Sequence, residues 1–361
     1  MPEPVNLLVV SLYSSVQFGG AERYISEVSS RLKKSEFNLY HVSSESAFPR
    51  VSKGFRLASS QFSFAWCREL KSIIKKLDIH VVYVHVSVPA LAEVAVFSAH
   101  SLNIPVCLMY HSDITGSSIY KKIFGYFYGV IFLDRILNHV DHVITTSKRF
   151  FNSSKSLAKL EPSAHNISFA PPGVSPELLS QHTGLTLPPK PFILFVGKPD
   201  APNKGFEYLH EAFQRFSLSH NIDLCVVGET KKQDESNIRY LGSISSRSYL
   251  GKLYSNALVT VLPSISSESF GMVLAESLIC GTPIIGSNIG GISDVIENGK
   301  NGLVIKPGSV DSLTNALKKV ISENDTFRSY IATQNYAEKY SWDATAKHIA
   351  DTLKHLAQSR P

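Results

Sequence analysis

Glu268 and Glu276 stand eight positions apart in the run Glu268–Ser–Phe–Gly–Met–Val–Leu–Ala–Glu276, with Gly281–Thr–Pro–Ile following. If a helix begins at Phe270–Gly271, Glu268 lies just before it and Glu276 about one and a half turns inside. Both carboxylates can then border one ligand while the amides of Phe270, Gly271 and Met272 stay free. Carboxylates grip pairs of hydroxyls, such as those of a ribose or a hexose, and free amides bind sugar or phosphate oxygens. The plainer alternatives are an N-terminal helix charge for Glu268 and a solvated helix face for Glu276.

Upstream, Gly197–Lys198 and Lys204–Gly205 follow a strand-like run. Two lysines near one strand end either neutralise a diphosphate or simply face water. Near the N-terminus, Gly19–Gly20 opens a helical stretch at Ala21–Glu22–Arg23. Glycines there let a phosphate approach backbone N–H groups, although Gly–Gly before a helix also makes an ordinary turn.

Positioning these residues requires elements, and short β-branched runs alternate with helical patterns through most of the chain, which predicts an α/β fold with parallel sheets. Strands are expected at Leu7–Leu12, Val81–His85, Pro105–Tyr110 and His142–Thr146, and then at Pro191–Val196, Asp223–Val227, Leu258–Leu262, Pro283–Gly286 and Gly302–Ile305. Helices are expected at Ala21–Lys34, Phe64–Lys76 and Ser118–Asn138 in the first half. In the second they fall at Phe206–Phe216, Ser248–Asn256, Gly271–Ile279 and Val310–Asn324, with a terminal helix at Trp342–Leu356. Between the halves, Ala170–Pro191 holds six prolines and breaks the periodicity, which places a hinge there. Parallel sheets bind ligands at the carboxyl ends of their strands, so the site is expected in a cleft between two domains.

A chain of 361 residues with 43% hydrophobic and 18% charged residues is long enough for two domains, and this composition excludes disordered and collagen-like classes. The net charge of +6 is uneven: residues 1–180 carry 18 Lys/Arg against 13 Asp/Glu, and residues 181–361 carry 18 against 17. That excess suits an anionic partner or membrane face, as well as an ordinary solvated surface, and gives no support to nucleic-acid binding. Cys67, Cys107, Cys225 and Cys280 are far apart, with no Cys or His at metal-ligand spacing, so neither a metal site nor a disulfide framework is expected. Asn6–Tyr13 reads as a buried strand and no leader pattern is visible, so a cytoplasmic protein is expected. The apolar-aromatic run Ile123–Leu133 is well short of the ~20 residues that span a bilayer. Tyr120–Lys121–Lys122, Ile123–Phe124 and Tyr126–Phe127–Tyr128 mix cations and aromatics as a membrane-surface segment does; a buried helix is the alternative.

Taken in order, Gly19–Gly–Ala–Glu–Arg23, Gly197–Lys198, Lys204–Gly205, the Glu268–Glu276 segment and Gly290–Gly291 resemble glycosyltransferase family 4. Lesser markers are His85, His111–Ser–Asp113, Asp141 with Ser147, Tyr240–Leu–Gly242 and Ser341–Trp342. The resemblance covers nearly the whole chain. It implies the GT-B fold: a Rossmann-like acceptor domain over 1–172 plus a returning helix at 342–361, and a Rossmann-like nucleotide-sugar domain over 173–341.

By this resemblance Glu276 binds the donor ribose, Glu268 faces the transferred sugar, and the amides of Phe270, Gly271 and Met272 orient that sugar. Lys198 and Lys204 hold the diphosphate and stabilise the departing nucleotide without a metal or any other cofactor. The family commonly has Arg where Lys198 stands, and the loop before Lys204 is one residue longer here. A point charge in place of a planar fork puts a bidentate phosphate contact in doubt. The stretch Gly242–Ser243–Ile244 would contact the base, and Gly19 and Gly20 would admit donor phosphate and acceptor. His111 corresponds to a histidine near the transferred sugar, with Asp113 a less certain companion.

The implied reaction is retaining transfer of a hexosyl group from a nucleotide-diphosphate sugar of UDP or GDP type to a hydroxyl of a glycan or lipid-linked saccharide, in bacterial surface-polysaccharide synthesis. Peripheral contact with the anionic inner face of the cell membrane fits the basic first half. The rival readings are a sugar-nucleotide epimerase of the same fold, which needs no acceptor, and a non-enzymatic two-lobed binding protein, which is usually exported.

Overall fold

The computed structural model of the protein describes residues 4–11, 20–34, 36–43, 51–52, 55–57, 60–86, 91–113, 133–160, 166–180, 186–218, 220–266 and 268–359. The chain divides into two compact units, one of residues 1–146, 151–171 and 342–361, the other of residues 147–150 and 172–341.

The first unit is built on a six-stranded parallel sheet. Its strands are β1 (Val5–Val10), β2 (Phe37–Val42), β5 (Val81–Val86), β6 (Val106–Tyr110), β7 (His142–Thr145) and β8 (Asn166–Phe169), ordered β2-β1-β5-β6-β7-β8. A short antiparallel pair, β3 (Phe55–Leu57) and β4 (Ser60–Phe62), stands apart from it. Every residue of β5 and β6 is buried, as a sheet covered on both faces requires. The helix Gly20–Leu32 buries Tyr24, Ile25, Val28 and Leu32, a three-to-four spacing that makes one apolar stripe. The C-terminal helix Trp342–Gln358 buries Trp342, Ala346, Ile349, Leu353 and Leu356 on a similar stripe and packs on the helix Gly20–Leu32 and on β5 and β6. Arg31 fixes that packing by donating to Asp343 at 2.6 Å.

The second unit repeats the plan with β9 (Phe192–Val196), β10 (Asp223–Val227), β11 (Ile238–Tyr240), β12 (Val259–Leu262), β13 (Ile284–Ser287) and β14 (Gly302–Ile305), ordered β11-β10-β9-β12-β13-β14 and all parallel. Alternation divides its core in two. Ile193 and Phe195 of β9 pack under the helices Phe206–Ser217 and Val310–Ser322. Phe192 and Leu194 pack under Arg247–Asn256 and Met272–Ile279. Each buried side chain of this size contributes about 1.5–3 kcal/mol, so both layers are needed to hold the sheet.

All nine strands expected from the sequence are present, within two residues at each end. Periodicity also misses the short pair β3 and β4, and the strands it misses in the two six-stranded sheets, β2, β8 and β11, are all sheet edges. The exposed or half-exposed residues of these three edge strands, Asn38 and Asn166 among them, break the continuous apolar run that marks a central strand. The helix Leu91–His100 is also missed, because it is buried on most of its circumference and has no polar face. Of the helix expected over Ser118–Asn138, only 133–138 are described, and Asp134–Leu137 is helical. The membrane-facing candidate Tyr120–Tyr128 and Gly19 lie outside the described residues. No helix among the described residues is long and apolar enough to cross a membrane.

Candidate active site

Three connections gather the candidate residues of the second unit at the carboxyl end of its sheet. Gly197, directly after β9, donates its amide to Val227 of β10, and Gly228 donates to the carbonyl of Gly242, just beyond β11. A side chain at Gly228 would meet the Gly197 carbonyl oxygen at 1.9 Å, so only glycine lets these two loops touch. Further along, the Ile265 amide donates to Asn203, which joins the loop after β9 to the loop after β12.

That junction brings Lys204 to Glu268. The ammonium donates to Glu268 Oε2 at 2.7 Å, and Ser264 Oγ donates to the same oxygen at 3.4 Å. Glu268 is held from behind as well: its carbonyl accepts from the Gly291 amide at 2.9 Å, and a Cβ on Gly290 would lie 2.3 Å from that carbonyl oxygen. The Gly290–Gly291 pair is therefore a backing for Glu268. Lys198 is placed differently, 68% exposed and 3.2 Å from Glu229, away from the Lys204–Glu268 pair in its bonding.

The helix begins at Met272, two residues later than Phe270, because Gly271 takes a left-handed conformation (φ 89°) as its N-cap. No described backbone carbonyl accepts from the amides of Phe270, Gly271 and Met272. They remain donors at a helix N-terminus. The Phe270 side chain is core, edge-on to Tyr340 at 5.7 Å, so this residue can offer a ligand its amide but not its ring.

Glu276 is not on a solvated helix face: it is 3% exposed. Tyr254 Oη donates to Oε2 at 2.9 Å and Arg247 Nη1 to Oε1 at 3.3 Å. Burial raises the Glu276 carboxyl above the ordinary range, while Arg247 and the Tyr254 hydroxyl pull the other way. These two partners escape a sequence reading because Tyr254 fits the apolar stripe of its own helix and the contact spans 22 positions. Gly242 is left-handed (φ 66°) with open space around it, and Ile244 packs against the core.

In the first unit, Gly20 begins its helix. His111 follows β6 immediately and is buried. Its Nε2 lies 2.9 Å from Nδ1 of His85, the rings are nearly parallel, and the Tyr24 ring meets His111 edge-on at 5.3 Å. Burial lowers His111 to about 4 and His85 well below its ordinary value, so both rings are neutral at pH 7. Asp113 accepts from Tyr110 and Ser154, which ties it to its own unit. No group of three or more His, Cys, Asp or Glu that could hold a metal occurs among the described residues.

Parallel sheets, glycine-lined strand ends, a buried carboxylate and an open helix N-terminus together describe an α/β protein with a ligand-binding arrangement at the carboxyl end of its second sheet. Residues 18–178 match the model of glycosyltransferase family 4 and residues 181–340 that of glycosyl transferases group 1. With both halves matched in order, the chain belongs to glycosyltransferase family 4 and has its GT-B fold.

It is similar to an uncharacterized glycosyltransferase of Methanocaldococcus jannaschii, 34% identical over 176 residues, which is 45% of this chain and 44% of that one. It is also similar to the phosphatidyl-myo-inositol mannosyltransferase of Mycobacterium leprae, 29% identical over 202 residues, 52% of this chain and 54% of that one. The matched stretches span about half the length of these curated relatives. Among solved structures, the sucrose-phosphate synthase of Thermosynechococcus elongatus superposes with a TM-score of 0.75 at 19% identity over 98% of this chain and 99% of that one. HepE of Anabaena, solved in complex with UDP and glucose, gives 0.69 at 15% identity over 97% and 100%.

Proposed function

We propose that the protein transfers a hexosyl group, with retention, from a nucleotide-diphosphate sugar of UDP or GDP type to a hydroxyl of a glycan or lipid-linked saccharide, as in bacterial surface-polysaccharide synthesis. The observation that carries this reading is the Lys204–Glu268 pair beside a glycine-capped helix whose interior holds the buried Glu276. A further support is that HepE has been solved with UDP-glucose.

In this reading the diphosphate takes Lys204 as its counter-ion and Lys198 reaches it from the surface, so the negative charge that grows on the departing nucleotide meets fixed cations. The amides of Phe270, Gly271 and Met272 bind sugar oxygens. Glu268, freed from Lys204, accepts from sugar hydroxyls and faces the positive charge developing at the anomeric carbon. Glu276 accepts from the ribose hydroxyls, held in place by Tyr254 and Arg247, and the backbone of Gly242–Ile244 meets the base. The acceptor hydroxyl oxygen bonds to the anomeric carbon on the face from which the nucleoside diphosphate leaves, and its proton passes to the departing diphosphate oxygen. No metal ion takes part in this scheme. His111 orients the transferred sugar. The first unit serves the acceptor, its glycine-opened helix at Gly20 included, and its basic excess draws it to the anionic inner face of the cell membrane.

Thermal unfolding with a panel of UDP-, GDP- and ADP-sugars tests the donor class, since a ligand bound only by the native state raises the midpoint. Nucleoside diphosphate released only when an acceptor saccharide is present supports transfer. Release of an altered nucleotide sugar without acceptor overturns it. Flotation with anionic vesicles tests the membrane contact.

A further inference from the structure

His85 and His111 form a buried pair whose hydrogen bond uses one nitrogen of each ring: His85 Nδ1 and His111 Nε2, 2.9 Å apart. A neutral imidazole has one donor and one acceptor nitrogen, so exactly one ring donates across this contact. His111 therefore has only Nδ1 left for a ligand, and what Nδ1 presents is decided by His85. If His111 donates from Nε2, His85 must carry its own proton on Nε2. That atom is buried without a partner, and a buried N–H with no acceptor is the rarer and costlier kind of orphan. If His85 donates from Nδ1, its Nε2 is a bare lone pair and no N–H is stranded.

We infer that His85 is a positioning residue that locks His111 in the Nδ1–H tautomer, so that His111 offers a hydrogen-bond donor to a sugar oxygen. The packing supports a fixed arrangement. His85 is held by the Tyr83 ring, inclined at 62° with its centre 4.4 Å away, and by the nearly parallel His111 ring to which it is bonded, while the Tyr24 ring meets His111 edge-on. Tyr24 is itself anchored through its hydroxyl to the carbonyl of Ala170 at 3.0 Å and edge-on to Trp342 at 5.5 Å. Flipping either ring would break the pair and strand further nitrogens.

The inference rests on the proposed role of His111, but its test does not need turnover. In protein labelled with nitrogen-15 histidine, the His111 ring should show a protonated Nδ1 and a bare Nε2 at pH 7, without added sugar nucleotide. His85→Leu should abolish this single pattern and give an average of the two tautomers. His85→Asn, whose amide N–H stands near the place of Nδ1–H, should restore it. A protonated Nε2 on His111 in the unsubstituted protein overturns the lock, as does an unchanged His111 pattern in a folded His85→Leu variant. If His85→Leu fails to fold, the spectrum of the unsubstituted protein still decides. A confirmed lock together with full activity of His111→Ala would instead remove the sugar-orienting role of His111 and leave the tautomer assignment standing.

Discussion

Lys204 donates to Glu268 at 2.7 Å across 64 positions of sequence, and the contact exists because Gly205, left-handed at φ 64°, lets the chain pass within reach of the Pro263 carbonyl. A side chain at Gly205 would lie 2.1 Å from that oxygen. Each of these charges neutralises the other. In the proposed reaction a bound diphosphate competes with Glu268 for the ammonium, which would couple donor binding to release of the carboxylate.

Glu268→Gln should lower turnover by roughly 10²–10³-fold, the size expected when one charge that stabilises a transition state is removed. Nucleoside diphosphate affinity should not fall and should rise modestly, because the Gln amide no longer competes for the Lys204 ammonium. Steady-state rates alongside a nucleoside diphosphate titration check both halves, and full turnover in the variant removes Glu268 from the reaction.

Glu276→Ala should weaken donor binding and also destabilise the protein by about 1–3 kcal/mol, because Arg247 and Tyr254 each lose their acceptor. The pH dependence has a definite sign. Burial raises the native carboxyl above its unfolded value, so the native state holds this proton more tightly, and the group's contribution to stability falls as pH rises past the ordinary 4.5 of a free glutamate. Urea unfolding across that range should show a shallower decline for Glu276→Gln.

The histidine pair gives the opposite slope. His111 is lowered from 6.5 to about 4, so the unfolded chain binds the proton first and stability is lost as pH falls from 6.5 toward 4. One such group accounts for about 3 kcal/mol at full effect. His111→Gln should flatten the urea midpoint over this window, and a slope equal to that of the unsubstituted protein would refute the buried neutral ring.

Gly290→Ala and Gly242→Ala separate close approach from backbone strain. Both positions are left-handed, but a Cβ at 290 would meet the Glu268 carbonyl oxygen at 2.3 Å, whereas a Cβ at 242 has no neighbour within 4 Å. Gly242→Ala should cost about 1–2 kcal/mol from conformation alone. Gly290→Ala should cost more and should also reduce turnover by displacing Glu268. Equal effects on turnover would show that Gly290 does not support the carboxylate.

Much of this protein is decided by short-range pattern. The apolar runs of β5, β6, β9 and β10 are buried on both faces, so their residues alone announce a parallel α/β sheet, twice over. The segment from Glu268 to Glu276 stands out in the same local way, since the carboxylates and the glycine that caps the helix sit within three turns of chain. Tertiary structure decided the rest. The edge strands β2, β8 and β11 are held by one neighbour and keep polar residues, and only pairing makes them strands. The burial of Glu276 depends on Tyr254 and Arg247 from another helix, the Lys204–Glu268 pair on two loops meeting over glycine, and the His85–His111 bond on two adjacent strands ending side by side. Sequence periodicity reports which face of an element is apolar. It carries no information on which distant side chain that face will meet, and hydrogen-bond partners and shifted protonation are properties of that meeting.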